Sequence, residues 1–248
     1  MQKNSSMAVF YAPDILRSPI LPEEESLHCS KVLRLQVGDE VSIIDGRGGF
    51  FKARIIIPHA KRTEVEIIEK EIFEQKPFGV HIAIAPTKNM DRIEWFLEKT
   101  TEIGITEITP LLCAHSERKQ INIERMFKIL VSATKQSKHV FLPKLNPLTD
   151  FATLMEMYGD EAMRRKGEET MDKFIAHCYK DEKRELKDAL RKGRDVLILI
   201  GPEGDFSEQE VEMAIANGFV PVGLGRSRLR TETAGVVACH TAVLLNED

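Results

Sequence analysis

Short runs of alternating apolar and polar residues fill the first third of the chain. They are rich in β-branched residues and predict strands at residues 7–11, 40–45, 51–57 and 64–68. Glycine-containing turns at residues 37–40 and 45–49 separate them as hairpin connections do. Residues 26–35 have apolar positions on one side and are typical of a short helix. The pattern predicts a small β-barrel.

The pattern changes near Pro77, where we place a linker. Continuous apolar runs then predict strands at residues 80–85, 108–112, 196–200 and 220–224. Amphipathic stretches predict helices at residues 90–103, 122–136, 184–192 (the end of a longer one) and 236–245. This alternation is typical of an α/β domain with a mainly parallel sheet. We therefore predict two domains, at residues 1–74 and 75–248.

The span from residue 150 to residue 194 is strongly charged. It contains the run Arg164-Arg165-Lys166 and several further ionisable residues. Charge runs of this kind usually form solvated surface, so we predict a solvated helix with a loop here.

Composition narrows the functional classes. The chain has 248 residues, 42% of them hydrophobic, and 35 Lys and Arg against 39 Asp and Glu, for a net charge of −4. This balance favours a globular protein and excludes a general polyanion binder, so an RNA site would have to be a local basic patch. No stretch reaches the roughly 18 apolar residues of a membrane helix, and no secretory signal pattern begins the chain. We expect a cytoplasmic protein with no membrane partner.

The four cysteines are too widely spaced for a zinc motif. They lie at Cys29, Cys113, Cys178 and Cys239, with no Cys-x-x-Cys pair. We predict reduced structural thiols and no metal.

The C-terminal fifth of the chain carries the chemistry. The apolar run at residues 196–200 leads directly into Gly201-Pro202-Glu203-Gly204, and the next predicted strand ends at Gly225. Ser207 and Glu210 form a capping box that begins a helix. Glycines at the carboxyl ends of two strands let a ligand approach the backbone at the edge where open α/β sheets bind ligands.

The segment from residue 226 to residue 235 is polar and contains three arginines. It has no Gly-Lys-Ser or Gly-Lys-Thr phosphate loop and no Gly-x-Gly-x-x-Gly fingerprint. The sequence thus excludes the two common nucleotide-binding motifs.

Three motifs follow one another along this part of the chain: Gly-Pro-Glu-Gly at 201–204, Leu-Gly at 224–225 and Leu-Arg-Thr-Glu-Thr-Ala at 229–234. In order and spacing they resemble the RsmE family of 16S ribosomal RNA uridine N3-methyltransferases, in the SPOUT superfamily. Residues 28–39, 88–110 and 136–137 are similar to further family motifs. Two positions depart from the family. Asp205 replaces a usual third glycine, and Arg228 replaces a usual aliphatic residue.

The resemblance implies a PUA-like β-barrel followed by a SPOUT domain with a trefoil knot. It also implies S-adenosylmethionine as cofactor, 16S rRNA of the small ribosomal subunit as partner, and a homodimer whose interface completes each active site. By the same resemblance, the residues expected to bind the cofactor are Leu199, Ile200, Gly201, Pro202, Gly204, Leu224, Gly225, Leu229, Thr231 and Thr233.

Arg230 and Glu232 are the catalytic candidates. N3 of uridine is protonated at neutral pH, so the site must favour the uridine anion, whose charge spreads onto two carbonyl oxygens. A guanidinium is permanently charged and rich in donors, which suits Arg230 to this task. Glu232 would either orient Arg230 or act as the base. The alternative is an ordinary surface pair between the two residues.

RNA binding is hypothesised for cations on both domains. Phosphate contacts position an RNA, and a base must be extruded before an enzyme reaches its N3. An ordinary solvated charge is the alternative for each residue taken alone. The candidates are His28, Lys31, Arg34, Arg47, Lys52 and Arg54 in the barrel, with Lys88 and Arg92 near the active site.

Two other functions remain open from the sequence. One is a SPOUT 2′-O-ribose methyltransferase acting on tRNA or rRNA, and the other is a non-catalytic RNA-binding assembly protein. Intact Arg230 and Glu232 beside two glycine loops favour the enzyme. We expect Trp95 to lie in the core of its helix rather than to stack on a base.

Overall fold

The structure is a computed structural model that describes residues 7–160, 171–179 and 183–247. It divides into two compact units. One comprises Met1–Gln75 and Val131–Leu142, and the other comprises Lys76–Leu130 and Pro143–Asp248. The return of the chain to the first unit at residue 131 is not visible in the hydrophobic pattern.

The described residues of the first unit contain a four-stranded sheet in the order β1-β2-β3-β4. β1 pairs with β2 in parallel, and the other two pairings are antiparallel. Phe51, Ala53 and Ile55 alternate on the buried face of the third strand, as the sequence pattern predicted. The strands are β1 (Val9–Tyr11), β2 (Glu40–Ile44), β3 (Gly49–Ile57) and β4 (Glu64–Ile72).

The helix predicted at residues 26–35 differs in form from the prediction. Helix α1 (Glu23–Leu27) begins three residues earlier and continues into a π-helical turn at His28–Val32. Leu33 N donates to His28 O over 2.9 Å to close this turn. The earlier start follows from three glutamates in the first turn, which stabilise the positive end of the helix dipole.

The described part of the second unit contains an eight-stranded sheet whose pairings are all parallel. This confirms the predicted α/β architecture. The main order is β10-β12-β9-β11-β5-β6-β7, and β8 pairs with β6. The strands are β5 (Val80–Ile84), β6 (Glu107–Leu112), β7 (Lys144–Leu145), β8 (Thr149–Asp150), β9 (Asp172–Ala176), β10 (Arg184–Glu185), β11 (Val196–Ile200) and β12 (Val220–Gly223).

Helices lie between many of the strands of this sheet in chain order. α2 spans Met90–Ile103 and ends at Gly104, as predicted, and its N-cap residue is Asn89. The predicted capping box of Ser207 and Glu210 begins α6. The helices are α2 (Met90–Ile103), α3 (Ile123–Ser137), α4 (Phe151–Tyr158), α5 (Leu186–Ala189), α6 (Glu208–Ala216) and α7 (Thr231–Asn246).

The prediction of a solvated helix and loop at residues 150–194 is wrong for the described residues. β9 lies inside the sheet, between β12 and β11, and Phe151 of α4 is buried. The strand was not predicted because it contains Asp172 and Lys173, and charged residues usually lie at the surface. Here both are buried. Arg191 pairs with Asp172, and Lys173 Nζ donates to the Asn217 carbonyl over 2.8 Å. Arg164, Arg165 and Lys166 lie outside the described residues.

Three further predictions need correction. Residues 184–192 contain the short strand β10 and one turn of helix, α5, rather than the end of a long helix. α7 begins at Thr231, five residues before its predicted start at 236. Trp95 is 43% exposed on α2 and does not belong to the core, whereas its neighbour Phe96 is buried.

Candidate active site

Two adjoining cavities lie at the carboxyl ends of β9, β11 and β12, beside the start of α7. Their volumes are about 290 Å³ and about 360 Å³. This is the edge at which the glycine pattern predicted a ligand site. The two cavities share the wall residues Ala176, Cys178, Arg228, Leu229 and Ala234.

The glycine loop after β11 is packed closely against the start of α7. Thr231 Oγ1 donates to the Gly201 carbonyl over 3.0 Å. A Cβ at position 201 would lie 3.0 Å from the ring of Phe206, so a side chain here would crowd that ring. The loop therefore presents backbone rather than side chain at this point.

Most residues predicted to bind a cofactor line one of the cavities. Ile200, Gly201, Pro202, Leu229 and Thr231 line the smaller one, and Leu224, Gly225 and Leu229 line the larger one. Three others are not among the lining residues of either cavity. They are Leu199, which is fully buried within β11, Gly204, which packs against His115, and Thr233.

One wall of the site was missed by the sequence analysis. Ala176 ends β9 and Cys178 follows it, and both line the two cavities. Lys183 lines the larger cavity. The Lys183 ammonium donates to the His177 carbonyl over 2.9 Å and holds the loop that carries Cys178. The apolar run Phe174-Ile175-Ala176 was the available signal, because short continuous apolar runs also predicted the other strands of this sheet.

The Cys178 thiol faces this site, unlike the other three cysteines, which are buried. Desolvation and the nearby Asp205 carboxylate raise the pKa of Cys178 above its ordinary value. Burial raises the pKa of Cys239 to about 12. These shifts keep both thiols protonated near neutral pH.

The catalytic candidates occupy different environments. Arg230 is the exposed N-cap residue of α7 and lines the smaller cavity. The Glu232 side chain is only 9% exposed, and its Oε1 lies 3.8 Å from Nε of Arg92 on α2. Within the described ranges, no ion pair or hydrogen bond joins Arg230 to Glu232, and Glu232 Oε2 has no hydrogen-bond partner.

Arg92 and Lys88, predicted to bind RNA, belong to the same unit as this site. Arg92 is engaged by Glu232, whereas Lys88 pairs with Glu117 over 3.0 Å and its amide donates to Glu203 over 3.2 Å. Lys88 is exposed, and Arg92 is partly exposed.

The RNA-binding candidates of the first unit differ in how they are engaged. Lys52 and Arg54 both pair with Glu40, at 3.0 Å and 3.4 Å, and Arg47 donates to the Pro13 carbonyl. The His28 ring stands edge-on to Phe10, with centroids 6.0 Å apart. Lys31 and Arg34 are exposed, and Arg34 has a positive φ of 53°.

The described residues contain neither a metal-binding cluster nor a membrane-spanning helix. No group of three or more His, Cys, Asp or Glu side chains there is arranged to hold a metal ion. No helix in the same ranges is long and apolar enough to cross a membrane.

Comparison with known proteins decides the family. An RNA methyltransferase domain model matches residues 74–243, and an RNA methyltransferase PUA domain model matches residues 21–68. The ribosomal RNA small subunit methyltransferase E of Synechocystis is 30% identical over 247 residues, covering 96% of this chain and 78% of its own. The chain belongs to the ribosomal RNA small subunit methyltransferase E family.

Solved structures agree with membership of the methyltransferase E family. A probable rRNA-methyltransferase from Porphyromonas gingivalis is 43% identical, with a TM-score of 0.86 and coverage of 97% of this chain and 98% of its own. The methyltransferase E of Neisseria gonorrhoeae, solved bound to S-adenosylmethionine, is 26% identical, with a TM-score of 0.79 and coverage of 97% and 98%. The predicted family and fold class are thus confirmed.

Proposed function

We propose that this methyltransferase transfers a methyl group from S-adenosylmethionine to N3 of a specific uridine in 16S rRNA of the small ribosomal subunit. The observation that carries the proposal is the exposed Arg230 at the rim of a cavity built on glycine backbone. The gonococcal relative, which was solved with S-adenosylmethionine, supports the choice of cofactor.

The residues at the cavities fit this cofactor. Gly201 presents its backbone, and Gly225, at a φ of 96°, has open space where a Cβ would stand. Main-chain N–H and C=O groups at such positions satisfy the edges of an adenine without particular side chains. Ile200, Leu224 and Leu229 provide apolar surface beside them. Bound S-adenosylmethionine supplies an electrophilic methyl group on a sulfonium.

Arg230 would stabilise the uridine anion. Loss of the N3 proton places negative charge on the two ring carbonyl oxygens, and a guanidinium at the cavity rim offers them several donors. Glu232 is buried against Arg92, and this position supports an orienting role at the start of α7 over that of a base.

The RNA would be held by exposed cations while the target base enters the site. Lys31 and Arg34 are exposed in the first unit, and Lys88 is exposed beside the glycine loop. Phosphate contacts of this kind set position, and base extrusion brings N3 to the reacting group. Lys88 pairs with Glu117, and His28, Arg47, Lys52, Arg54 and Arg92 also have protein partners, so these six would contribute more weakly than Lys31 and Arg34.

We further propose a cytoplasmic homodimer with a trefoil knot in each subunit. Trp95 on α2 and Leu244 on α7 are exposed apolar residues on two helices that pack together, which supports a partner surface there. The knot is proposed from the resemblance of the motifs at 201–204, 224–225 and 229–234 to those of the SPOUT superfamily.

Transfer of labelled methyl from S-adenosylmethionine to small ribosomal subunits lacking the modification tests the function. Nucleoside digestion identifies the product. We expect N3-methyluridine from small-subunit RNA. A methylated ribose, or label only in tRNA, would overturn the proposed substrate. Failure to bind S-adenosylmethionine would overturn the enzymatic assignment. Binding is measured in a separate experiment, as the increase that S-adenosylmethionine causes in the melting temperature of the protein.

A further inference from the structure

Asp205 has an unusual backbone conformation for its residue type. Its φ is 65°, in the left-handed region that glycine adopts freely and that other residues enter at a cost. Aspartate and asparagine are the residues that tolerate this region best. A glycine would adopt this turn freely, whereas the aspartate adopts the same turn and adds a carboxylate.

Both oxygens of that carboxylate accept hydrogen bonds. Oδ1 accepts from the amide of Phe206 over 2.9 Å, and Oδ2 accepts from the amide of Cys178 over 2.8 Å. The first bond lies within the glycine loop. The second joins that loop to the segment after β9, across 27 residues of sequence. Bonds from amides to an ionised carboxylate are stronger than bonds between neutral groups.

The segment after β9 contributes Cys178 to the wall shared by the two cavities. Besides the Asp205 bond, Tyr179 Oη donates to the Phe206 carbonyl over 2.8 Å, and Lys183 donates to the His177 carbonyl. The tie from Asp205 is attached at Cys178 itself, the residue of this segment that lines both cavities.

We propose that Asp205 is a positioning residue that fixes the Cys178 wall of the cofactor cavity through its carboxylate, and so raises affinity for the cofactor. The inference rests on the proposed function. A wall held in place before binding does not have to be ordered by the ligand, and preorganisation of this kind raises affinity. A glycine would adopt the same turn but would leave the Cys178 amide without this acceptor.

Two substitutions distinguish the contribution of the Asp205 carboxylate from that of its backbone turn. Asp205→Gly keeps the positive φ and removes both bonds, whereas Asp205→Asn keeps a carbonyl oxygen as acceptor and tolerates the same φ. Glu212→Gln, at an exposed position on α6, is the matched control for a change in net charge. Urea unfolding midpoints confirm that each variant is folded.

Calorimetric titration with S-adenosylmethionine and amide hydrogen exchange of the unliganded protein provide two readouts. We expect Asp205→Gly to bind about tenfold more weakly, because loss of the charge-assisted bond to Cys178 leaves that part of the wall to be ordered by the ligand. Exchange should accelerate at residues 176–179 and not in α2. Asp205→Asn should fall between wild type and the glycine variant, and Glu212→Gln should match wild type.

Equal affinity in Asp205→Gly and wild type would overturn this inference and leave the proposed function intact. Weaker binding with unchanged exchange at residues 176–179 would also overturn it, because Asp205 itself lines the smaller cavity and could contact the cofactor directly. Weaker binding by Asp205→Asn than by Asp205→Gly would also overturn it, because the retained acceptor would then have no value. Absence of binding to the wild type would overturn the proposed function and the inference together.

Discussion

Arg92 on α2 and Glu232 on α7 form an ion pair of 3.8 Å whose carboxylate is almost completely buried. The sequence suggested a different partner for each, since Arg92 was expected to bind RNA and Glu232 to act with Arg230. The pair joins two helices that pack together through Phe96 and Gly235, where an added Cβ would lie 2.6 Å from the Phe96 ring. Glu232 therefore stabilises the start of α7, from which Arg230 projects.

Removal of Arg92 should leave a buried carboxylate without its charge partner. We expect Arg92→Ala to lower the free energy of unfolding by about 1–3 kcal/mol, the usual penalty for such a group. The double variant Arg92→Ala with Glu232→Gln should recover part of this loss, because a neutral amide is less costly to bury. Urea denaturation measures both. Additive effects of the two substitutions would contradict the pairing.

Arg230 should affect turnover and not cofactor affinity. We expect Arg230→Ala to lower kcat by at least about 100-fold, the usual cost of removing one donor to a developing oxyanion, with unchanged affinity for S-adenosylmethionine. Arg230→Lys should retain part of the activity, because it keeps the charge and loses the planar fork. Methyl transfer under saturating cofactor and calorimetric titration provide the readouts. Unchanged turnover in Arg230→Ala would end its catalytic role.

Arg34 should contribute a phosphate contact. We expect Arg34→Gln to weaken RNA binding and to reduce the slope of log affinity against log salt by about 1. Arg62→Gln is the matched control, since Arg62 is an exposed arginine of the same unit that pairs with Glu64 over 3.2 Å. Filter binding at several salt concentrations measures the slope. Equal slopes for the two variants and wild type would refute a patch at Arg34.

His81 should make the protein sensitive to acid. Its Nε2 lies 2.7 Å from Thr109 Oγ1, and burial lowers its pKa to about 4, with Glu107 opposing and Lys144 adding to that shift more weakly. The unfolded chain takes up the proton near its ordinary pKa of 6.5, so stability should fall as pH drops from 6.5 towards 4. The loss should be on the order of 3 kcal/mol.

The variant His81→Asn isolates this effect from the titration of other groups. Urea midpoints at pH 7.5 and at about pH 5 should show a smaller decrease for His81→Asn than for wild type. The same decrease in both proteins would place the acid sensitivity elsewhere.

Local patterns in the sequence were sufficient to predict many of the helices, strands and turns of this protein. The end of α2 at Gly104 and the Ser207 capping box depend on contacts within a few residues, and both were predicted correctly. The glycines after β11 and β12 could be placed at one edge, because parallel strands end together. The motifs at 201–204, 224–225 and 229–234 identified the family.

Features that depend on contacts between residues distant in sequence could be determined only from the tertiary structure. β9 was missed because its buried Asp172 and Lys173 form ion pairs with Arg191 and Asp160, which are distant in sequence, and this neutralisation is invisible in a local pattern. The same reason explains the partner of Glu232, which lies on another helix, and the bond from Asp205 to Cys178. Local periodicity reports which face of an element is buried, whereas pairing across the fold determines which charges can be buried with it.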